Sequence, residues 1–249
     1  MYKWTFAAIL LTALAVVALA PGMAPNPAHA SKAADDHASS DVVTKAEQQA
    51  MTPQQVLQDL KDGNQRFVEG KLTRFDYLAQ AAKTSAEGQY PKAIVLGCLD
   101  SRVPPEIIFD QGIGDIFVGR VAGNFENIDM LGSFEFGAKV AGSKVIAVIG
   151  HTQCGAVKGA ADGVELGNLT EMLENIGPAL KAAKELVEGK FDASNDAYVQ
   201  AAVEAHVRQT VADSLDAAPL LREMVEAGGL LGVGGGSDLA SGKVEWLVG

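Results

Sequence analysis

Three short stretches of the chain, residues 93–99, 116–121 and 144–150, are almost unbroken runs of apolar residues with no polar alternation. A strand that reads this way is buried on both faces, as in a parallel sheet covered by helices. Helical spacing surrounds the three runs. Thr52 is placed to cap a helix that begins at Pro53 and carries Val56, Leu60 and Phe67 on its apolar face. Residues 130–140 predict a further helix. Residues 168–188 read as one long amphipathic helix with Leu169, Met172, Leu173, Ile176, Leu180, Ala183 and Val187 on one side and Pro178 placed to kink it. Residues 199–215 keep the helical pattern, and Pro219 starts a last helix that Gly228-Gly229 ends. Residues 230–233 and 243–248 read as closing strands. The alternation predicts an α/β fold: a mostly parallel central sheet flanked by helices, with an N-terminal helical arm. With no internal repeat and no second linker, residues 51–249 form one domain.

The first 50 residues have a different character. Lys3 precedes an apolar run over residues 6–20, and a Pro- and Gly-bearing stretch then ends in Ala28-His29-Ala30. That order is the pattern of a secretory signal peptide, here residues 1–30. The run of about 15 residues is short of the roughly 20 that span a bilayer, so an uncleaved anchor is the weaker reading. Residues 31–50 are small, polar and aperiodic, and read as a flexible tether. The expectation is an exported, periplasmic protein with no stable membrane insertion after cleavage. A formal net charge of −11, with no basic run, argues against nucleic acid as a partner.

Only two cysteines occur, Cys98 and Cys154. In an exported protein the default for two cysteines is a disulfide. Their surroundings point elsewhere. The segments 97–104 and 150–156 each follow directly on a predicted strand, where sites form in open α/β sheets. Cys and His are preferred zinc ligands, and a catalytic zinc site uses three protein ligands and an open position. Cys98 and Asp100, two apart in an extended stretch, point the same way. His151 and Cys154 can converge where a strand turns into a helix, whose start favours thiolate. Arg102 would keep Asp100 ionised and directed. By spacing alone a disulfide, inert buried cysteines, a core histidine and a surface turn at 100–102 all remain open.

The motifs are more specific than the spacing. Cys98-Leu99-Asp100-Ser101-Arg102 with His151-Thr152-Gln153-Cys154-Gly155 resembles the two-part signature of the β-class carbonic anhydrases. Val103-Pro104-Pro105-Glu106-Ile107-Ile108-Phe109-Asp110-Gln111-Gly112, Arg120-Val121-Ala122-Gly123-Asn124 and Gly132-Ser133-Phe134-Glu135-Phe136 are similar to its continuation. The resemblance runs over about residues 53–248 and is strongest over 89–161. It implies zinc-dependent reversible hydration of carbon dioxide to bicarbonate and a proton. It gives Cys98, His151 and Cys154 as Zn2+ ligands, Asp100 and Arg102 as the catalytic pair, and Gln89 as a substrate-orienting group. Phe117, Ala122 and Gly155 become pocket walls. The resemblance also implies a pocket completed by a neighbouring chain, hence a homodimer or homotetramer.

Departures from the family pattern are local. Phe136 stands where plant-like members carry Tyr. His206 stands where Asn is frequent, and reads as a surface helix residue. Residues 232–238 are unusually glycine-rich, with Ser237 where Tyr is common. Val95 and Ser237 replace two parts of an auxiliary bicarbonate pocket, which predicts an open site in which Asp100 stays on Arg102; only in a closed form would Asp100 itself join the metal. Two other readings compete. One is a carbon disulfide or carbonyl sulfide hydrolase on the same scaffold. The other is a non-catalytic zinc protein, which leaves Asp100, Arg102 and Gln89 without a role. A redox protein would want its cysteines in Cys-x-x-Cys, and these lie 56 positions apart.

Overall fold

The computed structural model describes residues 38–249. The signal-peptide reading, and residues 31–37 of the tether, lie outside the described residues. From residue 38 onward the tether expectation is corrected, because the chain is docked on the domain. The Ser39 N–H donates to the Arg74 carbonyl (2.7 Å) and the Asp76 N–H to the Ser39 carbonyl (2.8 Å). Helix α1 (Lys45–Ala50) then opens on a capping box between Thr44 and Glu47. Its buried Gln48 donates to the carbonyls of Pro91 and Ala141. Polar hydrogen bonds hold this segment, which is why apolar periodicity did not show it.

Helix α2 (Pro53–Val68) begins as expected, with Thr52 capping and Val56 and Leu60 buried. Helix α3 (Tyr77–Glu87), which the pattern did not predict, is capped by Asp76. Its buried Gln80 bonds the Asp41 carbonyl and the Ile113 N–H. There follow β1 (Ala93–Gly97), α4 (Pro105–Ile108), β2 (Ile116–Arg120), α5 (Ile128–Glu135) with a π-helical continuation (Phe136–Val140), and β3 (Val145–His151). Next come α6 (Gly155–Ala161), α7 (Asn168–Glu174), α8 (Gly177–Lys184), α9 (Asp196–Ala217), α10 (Pro219–Glu226), β4 (Leu231–Ser237) and β5 (Val244–Val248). The single helix expected over 168–188 is two: α7 ends at Glu174 and α8 restarts with Gly177-Pro178. Pro178 lacks an N–H and so sits where a helix begins rather than bending one already running.

Among the described residues the five strands form one sheet in the order β2-β1-β3-β4-β5, parallel except for β5. From β1 the chain passes to β2 on one side and then to β3 on the other. The strand order therefore reverses at β1, and the crevice for a site lies past the carboxyl ends of β1 and β3. One face of the sheet packs Val95, Ala147 and Val233 against Val56, Leu60 and Phe109. The other packs Ile94, Leu96 and Val148 against Phe134, Val207 and Leu221. The glycine-rich β4 has a packing reason: a Cβ on Gly234 would lie 2.6 Å from Val207 Cγ1, so glycine lets α9 lie directly on the strand. A third cluster, at the carboxyl end of the sheet, contains Cys98, Cys154, Val157, Ile176, Tyr198 and Val203. Among the described residues no helix is long and apolar enough to cross a membrane.

Candidate metal centre

Strand β1 delivers Cys98, and its neighbour β3 ends on His151. Gln153 adopts a left-handed φ of 57°, which reverses the chain within two residues and brings Cys154 to the start of α6. The turn is clamped from β4: the Thr152 N–H donates to the Ser237 carbonyl (2.9 Å), and the Thr152 hydroxyl accepts from the Leu239 N–H (3.0 Å).

The three side chains meet. All are buried, and one ligand atom from each lies within 4.8 Å of the others. The two sulfurs are 3.9 Å apart and unbonded, far beyond a disulfide's roughly 2.05 Å. His151 Nδ1 faces its neighbour's carbonyl, Thr152 O, at 2.9 Å. A carbonyl only accepts, so Nδ1 carries the proton and Nε2 presents a bare lone pair. That Nε2 is buried with no hydrogen-bond partner. A histidine oriented through one nitrogen, with the other turned bare towards two thiols, has the donor set and orientation that zinc takes.

Backbone groups complete the surroundings. The Gly123 N–H donates to Cys98 Sγ (3.4 Å), and the Ala156 and Val157 N–H groups at the start of α6 face Cys154. The two thiols are in direct contact. The contact with Cys154 draws Cys98 below the ordinary thiol range, while the contact with Cys98, added to burial, pushes Cys154 above it. Asp100 is fully engaged by Arg102. Its Oδ1 accepts from the Arg102 backbone N–H and Nε, both at 2.9 Å, and its Oδ2 from a terminal guanidinium nitrogen at 2.6 Å. These bonds from Arg102 hold the carboxyl well below the usual carboxylate range. Oδ2 lies 3.9 Å from His151 Nε2, so the pair borders the ligand cluster. Arg120 donates to the carbonyls of Cys98 and Asp100 and fixes the loop that carries both.

A family model described as carbonic anhydrase matches residues 93–244, from the first residue of β1 to the first of β5. Carbonic anhydrase 2 of Mycobacterium tuberculosis is 34% identical over 189 residues, spanning 74% of this chain and 87% of that protein. A carbonic anhydrase of Mycolicibacterium smegmatis is 35% identical over 195 residues, spanning 75% and 89%. Among solved structures, one of two tetrameric β-carbonic anhydrases from Sordaria macrospora superposes with a TM-score of 0.58 at 26% identity, over 67% of this chain and 85% of that one. The chain belongs to the β-class carbonic anhydrases.

Within this β-carbonic anhydrase the remaining expected site residues divide into two groups. Ala122 and Gly155 adjoin the centre, one beside Gly123 and the other directly after Cys154. Gln89 and Phe117 do not reach this chain's own centre. Gln89 is exposed before the start of β1, whose five residues span about 16 Å and lead away from it to Cys98. Phe117 is the second residue of the edge strand β2 and packs near Phe136.

The surface assignment of His206 is corrected. It is 3% exposed and lies on the buried stripe of α9 with Val199, Val203 and Val207. Burial holds its pKa below the ordinary value. The unfolded chain therefore takes up a proton that the folded one resists. No penalty exists above about pH 6.5, and stability falls as pH drops from there towards the lower folded value. Between pH 7 and 5 the unfolding free energy of the wild type should decline more steeply than that of His206→Gln. Cys98, His151 and Cys154 are common to both, so equal slopes in urea titrations would contradict this.

Proposed function

We propose that this protein is a zinc enzyme that hydrates carbon dioxide reversibly to bicarbonate and a proton. The observation that carries the reading is the bare, buried Nε2 of His151 grouped with two unbonded thiols beside an aspartate held entirely by an arginine. Cys98, His151 and Cys154 would hold the ion. Among the described residues no fourth Cys, His or carboxylate joins them, so the set is that of a catalytic site with an open position. Zinc bound there supplies a water acidic enough to ionise near neutral pH.

The chain's own residues do the positioning. Asp100 stays ionised over the working range, so it accepts a hydrogen bond from the reacting water and fixes its orientation without taking its proton. The bidentate grip of Arg102 keeps the carboxylate in one place, the open form of the site. Small residues, Ala122 and Gly155, leave room for a small apolar substrate. A cavity of about 480 Å³ lined by Arg102, Thr152, Gln153 and Asp238 opens on the Arg102 side of the pair.

Gln89 and Phe117 would complete the pocket of a second copy, in a homodimer or homotetramer. Exposed Ile128, Phe136 and Val140 lie on α5 and its π-helical continuation, whose Phe136 packs near Phe117 of the edge strand β2, and offer an apolar surface for it. The S. macrospora relative is described as tetrameric. Export and cleavage after Ala30 belong to the same proposal; intact mass of protein from the extracytoplasmic fraction should begin at Ser31, and a mass retaining Met1 would oppose it.

The reaction itself is tested by assaying one zinc-loaded preparation for carbon dioxide hydration and for sulfide release from carbon disulfide. Hydration well above buffer, with sulfide release at background, is expected. Sulfide release without hydration would move the assignment to the sulfur substrates, and neither activity would leave a binding protein.

A further inference from the structure

We propose that His206 is a positioning residue for the metal centre, holding in place the turn whose N–H hydrogen-bonds the Cys98 sulfur. The inference rests on the three-ligand metal reading above. The turn comprises Val121, Ala122, Gly123 and Asn124, and the Asn124 N–H closes it on the Val121 carbonyl at 3.0 Å. Gly123 has a φ of 87°, the value that the third residue of a type II turn requires. In such a turn the peptide between the second and third residues can flip to the type I arrangement, and its N–H then points the opposite way. Here that N–H is the Gly123 group that donates to Cys98 Sγ. The same glycine is held on its other side, where its carbonyl accepts from His206 Nε2 at 2.7 Å. His206 and Cys98 thus grip the two peptide planes that meet at one glycine Cα, the most permissive point of the turn.

The contact is built into the core. A Cβ on Gly123 would lie 3.0 Å from Ile176 Cδ1 and would have to be carried at a φ of 87°, so the position favours glycine. Because Nε2 faces a carbonyl, it carries a proton in both the neutral and the cationic ring, and the donation does not depend on the charge of His206. The ring's other nitrogen, Nδ1, is buried without a partner. His206 itself borders a cavity of about 440 Å³ lined by Glu126, Glu174 and Asp213. The ring's hydrogen bond to the turn is made by Nε2. An N–H bonded to a thiolate ligand withdraws charge from the sulfur and fixes its direction, which tunes how tightly it holds a metal.

The test uses the purified full-length protein with His206→Gln, His206→Leu and His206→Met. Glutamine places a donor near the position of the histidine Nε2; leucine and methionine fill space without a donor, and either suffices if the other does not fold. Zinc affinity is measured by chelator competition, and the thiolate-to-metal charge-transfer band is recorded on the cobalt-substituted protein. The donor-free variants should bind zinc about 10–100-fold more weakly with a shifted band, and the glutamine variant should stay close to wild type in both. A donor-free variant with wild-type affinity and band would overturn the proposal, as would a glutamine variant as impaired as the leucine one. A wild-type protein that binds no metal at all would overturn the metal reading instead.

Discussion

Cys98→Ser and Cys154→Ser should each release the metal and reduce carbon dioxide hydration by more than about 10³-fold, because water without the ion returns from a pKa of about 7 to 15.7 and is almost wholly un-ionised at neutral pH. The serine hydroxyl is close in size to the thiol but does not ionise in the range where a thiolate forms, so it is a poor zinc ligand. Both positions lie in the cluster that includes Val157, Ile176 and Tyr198, which one polar substitution should not dissolve. Far-UV circular dichroism should therefore stay native while metal content falls to near zero. Variants that keep both zinc and turnover would show the ligand assignment to be wrong.

Asp100→Asn should separate positioning from metal binding. The carboxylate receives three hydrogen bonds from Arg102, and both of its oxygens are engaged. An asparagine of the same shape keeps one acceptor oxygen and turns an amide nitrogen towards the guanidinium, so the bidentate grip is lost. Zinc content should stay at the wild-type level, since Asp100 is held by Arg102 and stands outside the ligand cluster. The value of kcat/KM should fall by about 10²-fold, the scale of a misplaced reacting group. Near-wild-type turnover in this variant would remove Asp100 from the mechanism.

The parts of the fold that were legible were those written in apolar residues. The runs at 93–99 and 144–150 bring Cys98 and His151 together because the strands lie side by side and stop at the crevice where the strand order reverses. Helices α1 and α3 escaped notice because the glutamines Gln48 and Gln80 anchor them through buried hydrogen bonds. The pattern over 168–188 ran across a break because α7 and α8 both turn apolar residues to the cluster that contains Cys98 and Cys154. His206 was readable in principle. It falls on the i, i+3, i+4 stripe of α9 with Val199, Ala202, Val203 and Val207, and a polar residue on such a stripe needs a partner. Gln89 and Phe117, expected to orient the substrate and wall the pocket, are not placed there by a single chain; the work proposed for them is in a neighbour's pocket.

The measurement that bears most directly on the whole account is a zinc titration of chelator-stripped protein, followed by stopped-flow carbon dioxide hydration. Activity should start at the buffer background, rise in proportion to added zinc and level off at about one ion per chain, the capacity of one three-ligand centre. Activity that is undiminished by stripping, or a protein that takes up one zinc per chain and still fails to hydrate carbon dioxide, would contradict it.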